Sequence, residues 1–297
     1  MNVLSLCDGM SGAQIALKEL GIPVENYYAS EIDKNSIKVT MENFPDTVQI
    51  GDVTKITDEF LDSLPKIDLV CFGSPCRSLT KTTAGREKYN NGLKGTSGLF
   101  YDCNRILQYI KEYNNPDVKF LVENVDSNNK DDLQIISETL GVEPVLINSN
   151  LFSAQDRVRY YWTNIPIEKL PESNDLVLKD ILDTDVPEKY FYKESFDYHG
   201  DDKKVCGTLH IKGHDIIKRI NNVNYKCPAL TACRGGNHQK KIIDNGKARK
   251  LTPSEYMKLQ TIPEWFKMNV ADTHIYNMCG DGWTIEVIKF IFKGLKG

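Results

Sequence analysis

The sequence lacks the features of several specialised protein classes. No apolar run approaches the roughly 18 residues of a membrane-spanning helix. The N-terminus has no basic region of the kind that opens a signal peptide. The eight cysteines include no Cys-x-x-Cys pair, and the chain has 297 residues, so a disulfide-stapled miniprotein is excluded. We expect a cytoplasmic protein with mostly reduced cysteines, without a membrane segment.

The composition is that of an ordinary globular protein. Hydrophobic residues make up 40% of the chain and charged residues 26%, which excludes a disordered tail, a collagen-like chain and a coiled-coil rod. A chain of this length buries a large core without disulfides. It is also long enough for two unequal domains.

The charge is unevenly distributed along the chain. The net charge is −4, yet residues 203–258 contain 13 Lys and Arg against 3 Asp and Glu. A basic segment within an acidic chain is typical of a surface that binds the phosphate backbone of nucleic acid. A solvated surface without a partner is the alternative interpretation.

Apolar runs alternate with helical patterns in the first half of the chain. The runs lie at 2–6, 27–30, 47–50, 67–72 and 118–122, and this alternation predicts an α/β fold with a doubly wound parallel sheet. Short strand-like pieces at about 166–250 predict a second, smaller domain. Helical patterns return at 254–259 and 285–295, so we predict a first domain of 1–165 plus about 251–297.

Acidic residues and glycines follow the first three predicted strands. Asp8-Gly9-Met10-Ser11-Gly12 forms a turn after the first strand, Glu31 follows the second and Asp52 the third. In a doubly wound sheet these strand ends border the ligand crevice. The pattern favours an adenosine-type ligand, because no phosphate-binding loop is present. Plain tight turns are the alternative.

Reactive side chains follow the next two strands. Cys76 comes after Gly73-Ser74-Pro75 and is a candidate nucleophile, although a buried loop thiol is the alternative. Glu123 ends the fifth strand, where a partly buried carboxylic acid can donate a proton. Arg157 and Arg159 lie two apart and, if extended, point to one face. The alternative for Glu123 is an acid at a helix N-terminus, and the alternative for the two arginines is a surface strand.

Taken in order, these motifs resemble those of the DNA cytosine-5 methyltransferase family. The resemblance spans nearly the whole chain and continues through Pro228–Thr231, Leu251–Pro253 and Gly280–Trp283. The stretch 95–101 and Trp283 resemble the de novo, vertebrate-type branch. The resemblance implies a Rossmann-like methyltransferase sheet with a smaller target-recognition domain, and an enzyme of prokaryotic or viral origin.

The resemblance also implies roles for individual residues. Cys76 would attack carbon 6 of a flipped-out cytosine, Glu123 would bind its amine and ring nitrogen 3, Arg159 would hold its carbonyl oxygen, and Arg157 would lie near the thiolate. The expected S-adenosyl-L-methionine (AdoMet) residues are Asp8, Gly9, Met10, Ser11, Gly12, Glu31, Ile32, Asp52, Val53, Gly73, Pro75, Leu99, Gly282 and Trp283.

The expected macromolecular partner is double-stranded DNA, and no metal site is expected. The expected DNA-binding residues are Arg77, Ser78, Arg234, Gly235, Gly236, Lys240 and Lys241. The sequence leaves open the recognition sequence, the oligomeric state, and whether a restriction endonuclease encoded elsewhere is a partner.

The chain departs from the family pattern in places, and other functions stay open. Cys7 replaces the usual aromatic residue of the first motif, and Asp281 replaces the usual Asn of the last. An RNA cytosine-5 methyltransferase of the tRNA type and a catalytically inactive DNA-binding homologue are alternatives. A zinc module is a third, suggested by Cys206, His210 and His214, with Cys227 and Cys233 beyond, although this spacing fits no common finger.

Overall fold

The computed structural model describes residues 1–74, 98–125, 130–233 and 236–296. The chain divides into two compact units. Unit 1 contains Met1–Ile147, Val158–Lys169 and Ile288–Gly297, and unit 2 contains Asn148–Arg157 and Leu170–Val287. None of the helices in the described ranges is both long and apolar enough to cross a membrane.

The described residues form fourteen strands and nine α-helices. The strands are β1 Asn2–Leu6, β2 Asn26–Ser30, β3 Val48–Gln49, β4 Leu69–Gly73, β5 Lys119–Val125, β6 Val145–Asn148, β7 Gln155–Asp156, β8 Val158–Thr163, β9 Phe196–Tyr198, β10 Val205–Leu209, β11 Arg219–Asn221, β12 Cys227–Pro228, β13 Lys241–Asp244 and β14 Lys247–Lys250. The helices are α1 Gly12–Glu19, α2 Lys34–Asn43, α3 Asp58–Asp62, α4 Leu99–Tyr109, α5 Lys130–Leu140, α6 Asp215–Lys218, α7 Pro253–Leu259, α8 Asp272–Asp281 and α9 Ile285–Phe292.

Unit 1 is built on a seven-stranded sheet in the order β3-β2-β1-β4-β5-β8-β6. Strands β1 to β5 pair in parallel, and β8 pairs antiparallel to β5. The prediction of an α/β doubly wound sheet is therefore confirmed. Because β1 and β4 are neighbours while the chain winds away from them in opposite directions, a crevice opens at their carboxyl ends.

The central strands are apolar because helices cover both faces of the sheet. All four apolar residues of β4 before Gly73 are fully buried, as are Leu4 and Leu6 of β1. One core contains Leu4, Leu6, Val70 and Phe72 together with apolar residues of α4 and α5 and with Trp162. Helix α4 ends at Tyr109, and Ile110–Asn114 continue it as a π-helix.

Unit 2 contains a five-stranded sheet in the order β14-β13-β11-β10-β9 and a two-stranded pair of β12 and β7. β13 and β14 form an antiparallel hairpin through Asn245-Gly246. Both residues have positive φ, 48° and 77°, as a type I′ turn requires, and Asn-Gly is the dipeptide that adopts this turn most readily.

The polar centre of unit 2 is an ion pair between Arg249 of β14 and Glu255 of α7, both 0% exposed at the side chain. The guanidinium donates to both carboxylate oxygens, at 2.8 and 2.7 Å, and to Asp244 at 2.6 Å. The same carboxylate accepts the backbone N–H groups of Thr252 and Asp183. The pair is thus fully hydrogen-bonded, as burial of two charges requires.

This ion pair also connects the segment that follows residue 250 to unit 2. The predicted first domain included 251–287, whereas this segment belongs to unit 2. Glu255 fixes the start of α7 to β14, and Gln260 bonds to Gln155 within the same unit. The short segment Asn148–Arg157 joins unit 2 because β7 pairs with β12. Side-chain hydrogen bonds of this kind have no periodic signature in a sequence.

We predict that Glu255→Gln destabilises the protein by about 3–5 kcal/mol, because it leaves the buried Arg249 charge without its fully buried carboxylate partner and with Asp244 alone. A matched control is Asp215→Asn, which breaks the exposed ion pair of Arg219 with Asp215 and should cost at most about 1 kcal/mol. Thermal and urea unfolding of the three proteins checks this. Equal effects of the two substitutions would contradict the assignment of Arg249–Glu255 as the polar centre.

Candidate active site

The turn after β1 has an unusual backbone. Cys7, Gly9 and Ser11 all have positive φ, at 53°, 60° and 60°. Non-glycine residues adopt this conformation only where surrounding bonds hold them. Here Asp8 N–H donates to the carbonyl of Ser30 at 3.0 Å, and the Ser11 hydroxyl bonds to Thr40 at 3.0 Å. The turn is therefore fixed to β2 and α2 beside it.

Glu31 is the anchor of this turn. Its Oε2 accepts the N–H of Gly9 at 2.8 Å, and its Oε1 accepts the N–H groups of Ile32 and Asp33 at 2.7 and 2.8 Å. A carboxylate has about four lone-pair positions, so acceptor capacity remains for a ligand hydroxyl. A Cβ on Gly9 would meet no atom of the described residues within 4 Å, so the turn borders open space.

Asp8 is held between two hydroxyl groups. Tyr27 donates to Oδ1 at 2.7 Å, and the Ser11 hydroxyl bonds to Oδ2. Burial of the carboxyl raises the pKa of Asp8 from 3.8 to about 6, although these hydrogen bonds act in the opposite direction. Tyr27 is a site residue that the sequence motifs did not indicate, because in the sequence it is simply an aromatic residue in a strand.

The other expected AdoMet residues of unit 1 differ in exposure. Asp52 accepts Thr54 N–H and hydroxyl at 3.0 and 2.8 Å, and these hydrogen bonds lower the pKa of Asp52. Met10 and Val53 are buried at 2% and 5% exposed, whereas Ile32 is 72% exposed. Gly73 ends β4, and Leu99 begins α4. Gly282 and Trp283 belong to unit 2.

Glu123 and Arg159 form an ion pair at the carboxyl edge of the sheet. Arg159 Nε lies 3.0 Å from Glu123 Oε1, and the side chains are 14% and 10% exposed. Glu123 is directly opposite Gly73 of β4 in the register. Because β8 runs antiparallel to β5, its first residues reach the edge where the parallel strands end. The side-chain amide of Asn124 donates to Ser74 at 3.4 Å.

Arg157 lies outside both strands of its segment, between β7 and β8, so it does not share a strand with Arg159. Its guanidinium is buried in unit 2 and donates to the carbonyls of Leu230, Gly280 and Gly282 at 2.9, 3.1 and 2.9 Å. These bonds join the segment before the expected recognition loop to the segment that carries Trp283. The expected position of Arg157 near the thiolate stays a prediction.

Two glutamines extend the buried hydrogen-bond network around Arg157 in unit 2, and no role was predicted for either. Gln155 accepts Leu230 N–H at 2.8 Å and donates to the Leu259 carbonyl at 3.0 Å. Gln260 accepts the Thr284 hydroxyl at 2.7 Å and donates to the Gly282 carbonyl at 3.0 Å. Gln155 lies two residues before Arg157 and Gln260 seven residues after Pro253, so their closeness to segments that carry the resemblance was the available signal.

Six of the expected site residues lie outside the described residues: Pro75, Cys76, Arg77, Ser78, Arg234 and Gly235. Their expected roles stay predictions. The described residues nearest to them in sequence are Ser74, which accepts the hydrogen bond from Asn124, and Cys233, whose thiol bonds to the Thr231 carbonyl at 3.1 Å. Gly236 is described and has a φ of 70°.

The expected phosphate contact of Lys241 needs correction. Lys241 is 1% exposed, and its Nζ donates to the carbonyls of Asn237 and Gln239 at 2.6 and 2.9 Å. Burial lowers its pKa to about 8. In this structure the ammonium supports the loop that ends at β13 and presents no surface to a phosphate. Lys240 is half-buried, and burial lowers its pKa as well.

The cysteines and histidines that suggested a zinc module are all described. Among the described residues no three His, Cys, Asp or Glu side chains are grouped to hold a metal ion. His210 instead lies 3.0 Å from Asp197 and 2.9 Å from the Ser195 hydroxyl. Cys206 bonds to the Ile220 carbonyl at 3.7 Å.

Similarity to solved structures agrees with the fold. The Entamoeba histolytica methyltransferase EhMeth superposes with a TM-score of 0.68 at 16% identity, covering 100% of this chain and 99% of that one. The S. pombe Dnmt2 methyltransferase gives a TM-score of 0.67 at 17% identity, covering 100% and 98%. At these identities the likeness concerns the fold alone.

Similarity of sequence identifies the family. The type II methyltransferase M.HhaI of Haemophilus parahaemolyticus is 26% identical, over 98% of this chain and 93% of its own length. The orphan methyltransferase M.SPBetaI of Bacillus phage SPbeta is 24% identical, over 99% and 97%. The family model described as C-5 cytosine-specific DNA methylase matches residues 1–297. This chain therefore belongs to the C-5 cytosine-specific DNA methylases, enzymes that methylate carbon 5 of cytosine in DNA.

Proposed function

We propose that Cys76, Glu123 and Arg159 carry out the methylation of cytosine in unit 1. The ion pair of Glu123 with Arg159, opposite Gly73 of β4, is the observation that supports this proposal most. Cys76 follows Gly73 by three residues in the sequence. In the sequence Cys76 follows the end of β4, while Glu123 lies near the end of β5 and Arg159 near the start of β8.

The residue types suit the reaction. Carbon 5 of cytosine is a weak nucleophile, and addition of the Cys76 thiolate to carbon 6 places electron density on carbon 5. Glu123 donates to ring nitrogen 3, where negative charge develops during the attack. Arg159 holds the Glu123 carboxyl in place and donates to the carbonyl oxygen of the base. After methylation carbon 5 loses its proton to water, the bond between Cys76 and carbon 6 breaks with its electron pair returning to the sulfur, and ring nitrogen 3 returns its proton to Glu123.

We propose that the turn after β1 and the ends of β2 and β3 hold AdoMet, which supplies the methyl group when bound. The fit rests on acceptor chemistry. Glu31 has capacity for ribose hydroxyls, Asp52 lies at the next strand end, and open space borders Gly9. Asp8 and Tyr27 support this turn from inside the unit. The residues present therefore suit an adenosine-type ligand.

We propose that unit 2 binds double-stranded DNA and selects the target sequence. Its exposed basic residues differ in their partners. Lys247 and Lys258 have acidic partners at 3.5 and 2.7 Å. Lys203 and Lys212 are exposed and have no ion pair within the described parts of the chain. These two lysines replace Lys241 as the best candidates for phosphate contacts. The target cytosine has to leave the duplex before Cys76 can reach it.

The decisive test of the catalytic proposal compares Glu123→Gln with a matched control. Removal of the acid should lower the single-turnover methylation rate at least about 100-fold, the usual scale for a general acid. Asp58→Asn breaks the exposed ion pair with Arg105 in the same unit and should leave the rate unchanged. Bisulfite sequencing of DNA from an expressing host first identifies the methylated sequence.

The nucleophile is tested with a duplex that carries 5-fluorocytosine at the position so identified. Fluorine does not leave carbon 5 as a proton does, so the wild-type enzyme should remain covalently attached to this duplex. Cys76→Ala should bind AdoMet but neither cross-link nor methylate. A methylating Cys76→Ala variant, or an unchanged rate in Glu123→Gln, would overturn the proposal.

The raised pKa of Asp8 predicts a pH-dependent stability. The folded protein favours the neutral form of the Asp8 carboxyl. The stability that this carboxyl gives to the folded state is therefore complete below about pH 4 and is lost as the pH rises through about 6. Asp8→Asn stays neutral, so its melting temperature relative to wild type should rise between about pH 5 and about pH 8. Asp52→Asn is the control, because a carboxyl with a lowered pKa is ionised throughout this range. Parallel pH profiles of the two variants would contradict the prediction.

DNA binding by unit 2 predicts a specific salt dependence. Each neutralised phosphate contributes about −0.9 to the slope of log affinity against log salt. Replacing Lys203 and Lys212 together by Ala should flatten this slope by up to about 2. The control replaces two exposed lysines of unit 1, Lys34 and Lys66, and should leave the slope unchanged. Equal flattening by both pairs would argue against unit 2 as the DNA-binding unit.

A further inference from the structure

The Tyr27 side chain connects the interior of β2 to the turn that follows β1. Tyr27 is 2% exposed, and its hydroxyl donates to Asp8 Oδ1 at 2.7 Å. Burial raises the pKa of the Tyr27 hydroxyl, so this group stays protonated and acts as a donor. Because Tyr27 is buried, it can act on a ligand of the turn only through Asp8.

Asp8 extends this contact to the backbone of the turn. Its Oδ2 accepts the Ser11 hydroxyl, and its carbonyl accepts the Ser11 N–H at 3.1 Å. The Ser11 hydroxyl also bonds to Thr40 of α2 at 3.0 Å. Ser11 has a φ of 60°, and a non-glycine residue keeps this conformation only where neighbouring bonds hold it. A continuous line of hydrogen bonds therefore runs from Tyr27 through Asp8 to the strained residue Ser11.

We propose that Tyr27 is a positioning residue for the cofactor, which holds the turn after β1 in its binding conformation through Asp8. This inference rests on the proposed AdoMet site and adds to it a residue that does not touch the ligand. Without the Tyr27 hydroxyl, the turn spends less time in the binding conformation, and the apparent dissociation constant of AdoMet rises accordingly. Bound AdoMet selects the same conformation, so the methylation rate at saturation stays unchanged.

The charge of Asp8 gives a second effect of the same hydrogen bond. Among the described residues, the titratable groups that act on Asp8 or respond to its charge are Tyr27 of β2, Glu31 after β2 and Cys71 of β4. Burial raises the pKa of Asp8 to about 6, and the hydrogen bond from Tyr27 acts in the opposite direction. Loss of this bond therefore raises the pKa of Asp8 further.

The sign of the resulting pH dependence follows from the charge of AdoMet. AdoMet carries a sulfonium cation, so a nearby carboxylate favours its binding when ionised and not when neutral. In the wild-type protein, AdoMet affinity should rise as the pH rises through about 6. In Tyr27→Phe the same rise should lie at higher pH, because Asp8 ionises later there.

The experiment compares wild type, Tyr27→Phe and Tyr28→Phe, with AdoMet itself as the probe. Tyr28 is the matched control, because it is the next residue of β2, lies on the other face of the sheet and packs against the apolar core of unit 1. Calorimetry at about pH 7.5 should show an affinity about tenfold lower in Tyr27→Phe, the scale of one hydrogen bond to a charged group. Tyr28→Phe should bind as wild type does, and both variants should keep the wild-type single-turnover rate at saturating AdoMet.

Two further measurements separate positioning from a general loss of structure. The midpoint of AdoMet affinity against pH should shift upward in Tyr27→Phe, and this shift should be absent when Asp8→Asn is present in both proteins. Without AdoMet, amide hydrogen exchange at residues 7–12 should be faster in Tyr27→Phe than in Tyr28→Phe. Ser11→Ala removes the other hydroxyl donor to Asp8 and repeats the test if Tyr27→Phe does not fold.

The outcomes distinguish the role of Tyr27 from the cofactor site on which it rests. Equal AdoMet affinity and an equal pH midpoint in the two tyrosine variants would overturn the role of Tyr27. A lower saturated rate in Tyr27→Phe with unchanged affinity would do the same. A folded wild-type protein that binds no AdoMet would instead contradict the proposed cofactor site, even if hydrogen exchange shows that Tyr27 holds the turn.

Discussion

The ion pair of Glu123 with Arg159 depends on the backbone pairing that holds β5 between β4 and β8. Gly73 lies opposite Glu123, and Arg159 lies opposite Val125. Because residues two apart in a strand share a face, Arg159 and Glu123 become diagonal neighbours on one face of the sheet. A slip of one residue in β8 would turn the guanidinium to the other face and break the 3.0 Å ion pair.

Unit 2 is held together differently, because side chains bond to the backbone of its irregular segments. Arg157 and the two glutamines bond to backbone groups that have no strand or helix partner. The backbone at Gly280 packs directly against the backbone at Thr231. A Cβ at position 280 would approach the Thr231 carbonyl carbon to 2.3 Å, so only glycine fits there. Buried backbone groups must find partners, and in this unit the motif residues supply them.

Most of the fold of unit 1 was predictable from the sequence, and less of unit 2. Continuous apolar runs such as β4 are typical of buried parallel strands, and polar residues at their ends indicate a ligand crevice. The unit boundary between Val287 and Ile288 and the burial of Lys241 were not predictable. Both depend on contacts between residues far apart in sequence, and the charge of a lysine says nothing about its exposure.

The sequence alone determined the order of the motifs, the α/β pattern and the family, because residue type and spacing suffice for these. Only the tertiary structure decided the partners. Arg159 pairs with Glu123, Arg157 donates to the carbonyls of Leu230, Gly280 and Gly282, and Arg249 pairs with Glu255. The partners of the first two arginines are distant from them along the chain, and these contacts follow from strand register and helix packing, which short-range pattern does not encode.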